Sequence, residues 1–128
     1  MAILDSILDA VGNTPMVRLN RITGIDCAEI LVKAEYLNPG GSIKARSAMG
    51  IIIDAEHKGL LGPNSIIVEY SSGNQGISLS MIASIKGYKV VVFLPETMSD
   101  ERRKILRAYG AKVVLTPAGK DMQETLTR

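Results

Sequence analysis

The stretch Ser65-Ile66-Ile67-Val68-Glu69-Tyr70-Ser71-Ser72-Gly73-Asn74-Gln75-Gly76 decides the fold of this 128-residue chain. Its first half is apolar and β-branched, as in a buried strand, and its second half is a small polar turn that contains glycine. The segment from Gln75 to Lys86 has apolar residues around most of a helical circumference, and Gly87 provides a helix stop. A buried strand followed by a polar turn and a helix indicates the first part of a βαβ unit.

The same strand pattern recurs twice further along the chain. Val68, Val91 and Val114 are the centres of three apolar runs at equal spacing, and each interval suits one helix and two short turns. Runs that are apolar throughout indicate strands buried on both faces, as in a parallel sheet. A helix capped by Ser99 and stopped by Gly110 fills the second interval. We therefore predict an α/β fold, a three-layer αβα arrangement around a short parallel sheet.

The two ends of the chain follow other patterns. Residues Ile3 to Val11 predict a short helix, while Met16 to Leu19 and Ile30 to Glu35 predict two strands. A further helix is expected from Ser42 or its neighbour to about Lys58, since a serine can cap its first turn. At the C-terminus, residues 121–128 have the pattern of a helix start, so we expect the sequence to be part of a longer chain.

The composition excludes several classes of protein. Hydrophobic residues make up 46% of the chain and charged residues 22%, which is typical of a globular domain and not of a disordered segment. A net charge of +2 gives no reason to expect a nucleic-acid or membrane partner, and no apolar run reaches the roughly 20 residues of a membrane span. The N-terminus lacks a basic signal-peptide region, and the single Cys27 has no internal partner. A cytoplasmic location is predicted.

Two short motifs contain the candidate chemistry. Lys44 follows the glycine-rich bend Asn38 to Ser42, where its amine is placed to react with an aldehyde, although an isolated lysine of this kind is usually an ordinary helix charge. Residues Ser71 to Gly76 lie at the carboxyl end of a strand and the start of a helix, which suits an anion such as a carboxylate. An ordinary turn is the alternative for this loop. We find no spacing of side chains that suits a metal ion.

Four ordered motifs together identify a family. They are Gly12-Asn13-Thr14-Pro15-Met16-Val17-Arg18-Leu19, Asn38 to Arg46, Glu69 to Gly76 and Pro95 to Arg103. Over the whole chain they strongly resemble the cysteine synthases (O-acetylserine sulfhydrylases) of the fold type II pyridoxal-phosphate-dependent family, which also includes cystathionine β-synthase and the serine and threonine dehydratases. The resemblance implies pyridoxal 5'-phosphate as the cofactor. It also implies a transferase or lyase of cysteine biosynthesis, which converts O-acetylserine to an aminoacrylate and then adds sulfide.

The resemblance further implies roles for individual residues. Lys44 would form a Schiff base with the cofactor and, once displaced by the substrate, would remove the proton from the substrate Cα. Asn74 would hydrogen-bond the ring hydroxyl of the cofactor. The substrate carboxylate would be bound, through side chains and backbone N–H groups, by Ser71, Ser72, Gly73, Asn74 and Gln75.

Two positions depart from the cysteine synthase pattern, which usually has threonine where this chain has Ser71 and Gln75. Ser71 keeps a hydroxyl, but Gln75 is larger and has a different set of donors, so it leaves the exact substrate or nucleophile open. Cystathionine β-synthase-like or dehydratase-like chemistry is therefore an alternative. A non-catalytic α/β module or binding fragment is the alternative from another class.

The resemblance places the chain in the N-terminal part of a longer enzyme. Residues 1–36 would belong to the sheet of a larger domain, and residues 37–128 to a small α/β domain that is incomplete at its C-terminus. In the family, the loop that binds the cofactor phosphate comes later, and nothing in this sequence matches it. We therefore expect these 128 residues to be inactive alone, and the whole enzyme to be a homodimer.

Overall fold

Two separate sheets organise the described part of the chain. The computed structural model describes residues 3–22, 24 and 26–117. Strands β1 (Met16–Arg18) and β2 (Leu31–Lys33) form an antiparallel pair. Strands β3 (Ile66–Tyr70), β4 (Lys89–Pro95) and β5 (Lys112–Thr116) form a parallel sheet in the order β3-β4-β5. The predicted α/β class and the parallel pairing of the three apolar runs are confirmed.

Three α-helices alternate with these strands in the described part. Helix α1 (Lys44–His57) precedes β3, α2 (Asn74–Lys86) joins β3 to β4, and α3 (Asp100–Ala108) joins β4 to β5. Helix α2 ends at Gly87, whose φ of 81° is the left-handed conformation that glycine favours after a helix. Ser99 occupies the N-cap of α3, as the sequence predicts, but its side chain makes no capping hydrogen bond.

The main core lies between β4 and the helices α2 and α3. Val90, Val92 and Leu94 alternate along β4 and are buried. They form one cluster with residues from both helices, including Ile77 and Leu106. Because α2 and α3 pack on the same side chains of β4, the two helices cover the same face of the sheet.

A second cluster joins α1 to α2. Ala48 and Ile52 of α1 are buried in it together with Leu79 and Ile82 of α2. Each pair is spaced by about one helical turn, so each pair lies on one face of its helix. This packing fixes the relative position of the two helices whose first turns contain the candidate site residues.

The opposite face of the parallel sheet is open in the described part of the chain. Ile66 and Val68 of β3 are 57% and 61% exposed, which differs from the expectation of strands buried on both faces. The reason is that β3 is an edge strand and that the described helices α2 and α3 cover the other face. All residues of β1 and β2 are exposed as well. Exposed apolar surface of this extent is typical of a contact surface.

The sequence was less informative about the short N-terminal elements. The helix predicted from Ile3 to Val11 is a 3₁₀ turn, Ile7–Ala10, because Ser6 and Asp9 form a capping box that starts the turn there. The helix predicted at residues 121–128 lies outside the described residues. The division of the chain after its first 36 residues remains a prediction.

Neither a membrane span nor a metal cluster occurs in the described ranges. No helix there is long and apolar enough to cross a membrane. Within the same residues, no three side chains of histidine, cysteine, aspartate or glutamate are grouped to hold a metal ion. Cys27 is exposed.

Candidate functional site

The loop from Ser71 to Gly76 lies at the carboxyl end of β3 and leads into α2. Ser71 is only 6% exposed, and its Oγ accepts the backbone N–H of Gly73 at 3.1 Å and of Gly76 at 3.0 Å. A hydroxyl that accepts hydrogen bonds keeps its own proton, so Ser71 can still donate once. The Ser71 side chain therefore fixes the shape of the loop from the inside.

Gly73 and Gly76 allow the loop to pack closely on its surroundings. The φ of Gly73 is 152°, and a Cβ at this position would lie 2.7 Å from Nε of Arg102. A Cβ at Gly76 would lie 3.0 Å from Cγ1 of Val92 and 3.2 Å from Cβ of Ser71. A larger residue at either position would displace the loop or its neighbours.

The outer side of the loop presents free hydrogen-bond donors. Among the described residues, the backbone N–H groups of Ser72, Asn74 and Gln75 have no acceptor, and the side chains of Ser72 and Asn74 are exposed. These groups lie at the start of a 13-residue helix, where the helix dipole adds positive potential. The arrangement suits an anion of the size of a carboxylate.

Lys44 is the first residue of α1. The bend before it contains Gly40 and Gly41, whose φ values of 83° and 78° favour glycine. Ser42 Oγ accepts the backbone N–H of Lys44 at 3.2 Å and so supports the helix start, while its neighbour Ile43 occupies the N-cap without a side-chain capping bond. Lys44 is exposed, and no described residue hydrogen-bonds or ion-pairs with its Nζ. Such an amine is available to react with an aldehyde.

A hydrogen bond joins the turn of Lys44 to the loop. Oγ of Ser47, one turn after Lys44, lies 2.9 Å from Oε1 of Gln75 and 3.1 Å from the carbonyl oxygen of Lys44. Gln75 directly follows Asn74. The contact therefore places the helix start that contains the lysine beside the loop that contains the carboxamide. The structure brings together the two motifs that the sequence identifies.

Glu35 anchors α1, although sequence reasoning assigned this residue no role. Nε and Nη2 of Arg46 both donate to the Glu35 carboxylate, each at 2.9 Å. Oγ1 of Thr14 donates to the same carboxylate at 2.8 Å, and Nδ2 of Asn38 donates at 2.6 Å. These hydrogen bonds, with that of Arg46 first, hold the pKa of Glu35 at about 2. The carboxylate is therefore charged at neutral pH.

The same network reaches the N-terminal turn at Gly12. Nη2 of Arg46 donates to the Gly12 carbonyl at 2.7 Å, and Oδ1 of Asn38 accepts the Gly12 N–H at 2.7 Å. The family resemblance rests in part on motifs that contain Gly12, Asn38 and Arg46. Their place in these motifs is the only sequence feature that indicates their importance. The network holds the segment of Lys44 against the Gly12 turn.

A cleft of about 700 Å³ opens beside the loop. Its lining residues are Gly40, Gly41, Asn74, Ile77, Ser99, Glu101, Arg102, Ile105 and Tyr109. Arg102 extends from the start of α3 across Gly73 and donates to Sδ of Met98 at 3.3 Å. The bend before Lys44, the loop and Arg102 therefore line the same cleft through Gly40, Gly41, Asn74 and the Arg102 side chain. The guanidinium of Arg102 would attract an anion bound beside Gly73, whereas Glu101 contributes a negative charge to the same lining.

Comparison with known proteins gives consistent matches. Residues 7–128 match the family described as pyridoxal-phosphate dependent enzyme. A cysteine synthase from Flavobacterium sp. is 51% identical over 121 residues, which are 94% of this chain and 39% of that enzyme. The crystal structure of O-ureido-L-serine synthase matches with a TM-score of 0.89 and 46% identity, covering 98% of this chain and 40% of that one. A hydrogen sulfide-producing enzyme from Fusobacterium nucleatum matches with a TM-score of 0.88 and 43% identity, covering 98% and 42%.

The chain spans between 39% and 42% of the length of these relatives. Their names give different reactions, although all three match nearly the whole of this chain. The similarity therefore establishes the family and leaves the particular substrate to be argued from the site.

Proposed function

The chain belongs to the pyridoxal-phosphate-dependent enzyme family, and from this premise we propose that it is the N-terminal part of a cysteine synthase. The whole enzyme would replace the acetate of O-acetylserine by sulfide to form cysteine. The main supporting observation is the hydrogen bond between Ser47 and Gln75. It holds the turn of Lys44 beside the loop from Ser71 to Gly76, which is suited to bind a carboxylate. The 51% identity to a cysteine synthase supports the choice of reaction.

The residues present fit the proposed cofactor. Lys44 offers an amine with no carboxylate partner among the described residues, next to a bend that two glycines keep free of side chains. Asn74 lines the cleft and is exposed, so its carboxamide is available to hydrogen-bond a ring hydroxyl. When bound, pyridoxal phosphate supplies a ring that stabilises negative charge at the substrate Cα.

Each part of the site then has a distinct task. Nζ of Lys44 would hold the cofactor and would accept the proton from the substrate Cα. The carboxamide of Asn74 would orient the cofactor ring. The free N–H groups at the start of α2 and the loop hydroxyls bind the substrate carboxylate, assisted by the helix dipole. The proposed carboxylate-binding set is Ser71, Ser72, Gly73, Asn74 and Gln75. Within it, Ser72, Asn74 and Gln75 supply the free backbone N–H groups, while Ser71 and Gly73 hydrogen-bond each other and shape the loop.

Gln75 supports one alternative within the family. Its side chain occupies a position where the cysteine synthase pattern leads us to expect threonine. A substrate or nucleophile other than that of the cysteine synthases is therefore compatible with the site. A cystathionine β-synthase-like or dehydratase-like reaction would use the same amine and the same carboxylate loop. A non-catalytic module would use neither.

The full-length protein that contains this chain tests the proposal. With pyridoxal phosphate, O-acetylserine and sulfide, it should release cysteine and acetate in equal amounts. Formation of cystathionine from serine and homocysteine, or of pyruvate from serine, in place of cysteine would overturn the proposal in favour of the alternative enzymes. Absence of turnover with all of these substrates would favour a non-catalytic role.

The setting of the enzyme is part of the same proposal. The names of the relatives belong to small-molecule chemistry, which supports a small amino-acid substrate without a nucleic-acid or membrane partner. We propose a cytoplasmic homodimer in which residues 1–36 belong to a larger domain and residues 37–128 to the small α/β domain. The two separate sheets of the described chain support this division.

A further inference from the structure

The side chain of Gln75 is turned toward α1. Its Oε1 lies 2.9 Å from Oγ of Ser47, which in turn lies 3.1 Å from the carbonyl oxygen of Lys44. Gln75 is half-buried, whereas the neighbouring Ser72 and Asn74 are exposed. Gln75 thus differs from Ser72 and Asn74, because its carboxamide is already engaged by the helix that begins at Lys44.

The single hydroxyl proton of Ser47 cannot serve both of its contacts. If the hydroxyl donates to the carbonyl of Lys44, the Gln75 amide must present Nε2 and donate to Ser47 Oγ, an orientation with the same shape. If the hydroxyl donates to Oε1 of Gln75, the amide keeps its oxygen toward Ser47. In both arrangements the Gln75 side chain is attached to the first turn of α1.

We propose that Gln75 is a positioning residue for Lys44, acting through Ser47, and that its side chain is not a ligand of the substrate carboxylate. The proposal rests on the function proposed above for Lys44. The backbone N–H of Gln75 stays available to the carboxylate. A carboxylate that orders the start of α2 would therefore also order the side chain that holds the turn of Lys44.

If the Gln75 side chain instead bound the substrate directly, different mutational effects would be expected. The carboxamide would have to leave Ser47 to reach the substrate, and removal of the Ser47 hydroxyl would then leave substrate affinity unchanged or raise it. If Gln75 instead acts through Ser47, the two side chains form one unit, and their removal is not additive. A double-mutant cycle separates the two roles.

The test uses the full-length holoenzyme with Gln75→Leu, Ser47→Ala and the double variant. Leucine approximates the volume of glutamine without its amide. Each single variant should lower kcat by roughly 3- to 10-fold with KM for the amino acid within about twofold, and the double variant should be no slower than the slower single. Ser47→Thr, which keeps the hydroxyl, should restore the wild-type rate.

Ser84→Ala is the matched control. Oγ of Ser84 bonds the carbonyl of Met81 at 2.8 Å, three residues earlier in its helix, as Ser47 does with Lys44. Ser84 lies in the later half of α2, away from the loop. Its replacement removes the same kind of serine-to-carbonyl hydrogen bond but leaves the contact between Ser47 and Gln75 intact. The values of kcat and KM should therefore stay at those of wild type.

Hydrogen exchange of the cofactor-free protein gives a second readout. The amide of Ile77, which donates to the Gly73 carbonyl at 2.9 Å, should exchange faster by the same factor in Gln75→Leu and Ser47→Ala. If both variants speed the exchange of Ile77 equally but wild-type protein makes no cysteine, the proposed function is wrong. The coupling of Gln75 to α1 through Ser47 is then still supported. A rise in KM confined to Gln75→Leu, additive losses in the double variant, or unchanged kinetics in both singles would overturn the positioning role.

Discussion

Arg46 binds Glu35 through two hydrogen bonds of 2.9 Å and lies two residues beyond Lys44. Paired donors on a carboxylate give a strong and well-oriented contact. Because Glu35 also accepts hydrogen bonds from Thr14 and Asn38, the ion pair ties the N-terminal turn and the glycine bend to α1. The position of the Lys44 amine therefore depends on side chains that lie well away from it in sequence.

Acid should remove the contribution of this ion pair to stability. The folded pKa of Glu35, about 2, is below the value of about 4.3 that is usual for an unfolded chain. Since the folded value is the lower one, the contribution is complete above roughly pH 4.5 and is lost as the pH falls toward the folded pKa. Glu35→Gln should unfold at lower urea concentration than wild type at pH 7, and the two midpoints should converge in acid.

Asp54→Asn is the control for this measurement. The carboxylate of Asp54 pairs with Lys58 at 2.7 Å, and both side chains are 62% exposed, so solvent weakens the pair. Its replacement should move the urea midpoint little at any pH. A difference between Glu35→Gln and wild type that stays constant down to acid pH would contradict the assignment of the low pKa to the folded ion pair.

Two glycine substitutions should have opposite effects. Gly76→Ala places a Cβ 3.0 Å from Val92 Cγ1 and 3.2 Å from Ser71 Cβ, so the free energy of unfolding should fall by about 1–3 kcal/mol. Gly50→Ala, inside α1, meets no atom within 4 Å and should stabilise the protein by up to about 1 kcal/mol. Urea unfolding measures both. Equal effects of the two substitutions would argue against close packing at Gly76.

Ser72 should affect substrate use more than stability. Its side chain is exposed at the loop, so Ser72→Ala should leave the urea midpoint unchanged. If its hydroxyl donates to the substrate carboxylate, kcat/KM for the amino acid should fall by an amount equivalent to ~1–3 kcal/mol. Ser84→Ala should change neither quantity. An unchanged kcat/KM in Ser72→Ala would show that this hydroxyl has no part in binding.

The 128-residue chain alone should not catalyse cysteine formation. It spans 39% of the length of the Flavobacterium cysteine synthase, and the resemblance places the phosphate-binding loop in the remainder. Phosphate needs several N–H donors, and those free at the start of α2 are assigned to the substrate carboxylate. Titration of the chain with pyridoxal phosphate, followed by absorbance, should show weak binding. Tight stoichiometric binding with turnover would contradict this prediction.

The main fold could be predicted because its strands are apolar, rich in β-branched residues and regularly spaced. The runs around Val68, Val91 and Val114 form the parallel sheet, and glycines end the helices where expected. Burial of β3 could not be predicted, because exposure of Ile66 depends on which elements cover its face of the sheet. Local patterns contain no information about such distant coverage.

The candidate site was predictable only in its linear motifs. Lys44 and the loop from Ser71 to Gly76 were found from local sequence, since a lysine after glycines and a polar loop after a strand have recognisable chemistry. The side chains that pair with Glu35 and Gln75 could not be predicted from the sequence. Gln75 and Ser47 are 28 residues apart, and their contact exists only because α1 packs on α2. Contacts of this kind follow from tertiary packing and not from spacing along the chain.

The visible absorption spectrum of the full-length protein, recorded after loading with pyridoxal phosphate and removal of the free cofactor, tests the central claim most directly. Wild type and Lys58→Ala, which changes an exposed lysine just after α1, should show the band of lysine-bound cofactor. Asn74→Ala should keep the band with slower turnover. Lys44→Ala should lose both the band and cysteine formation, and a wild-type band in Lys44→Ala would contradict the assignment of this lysine.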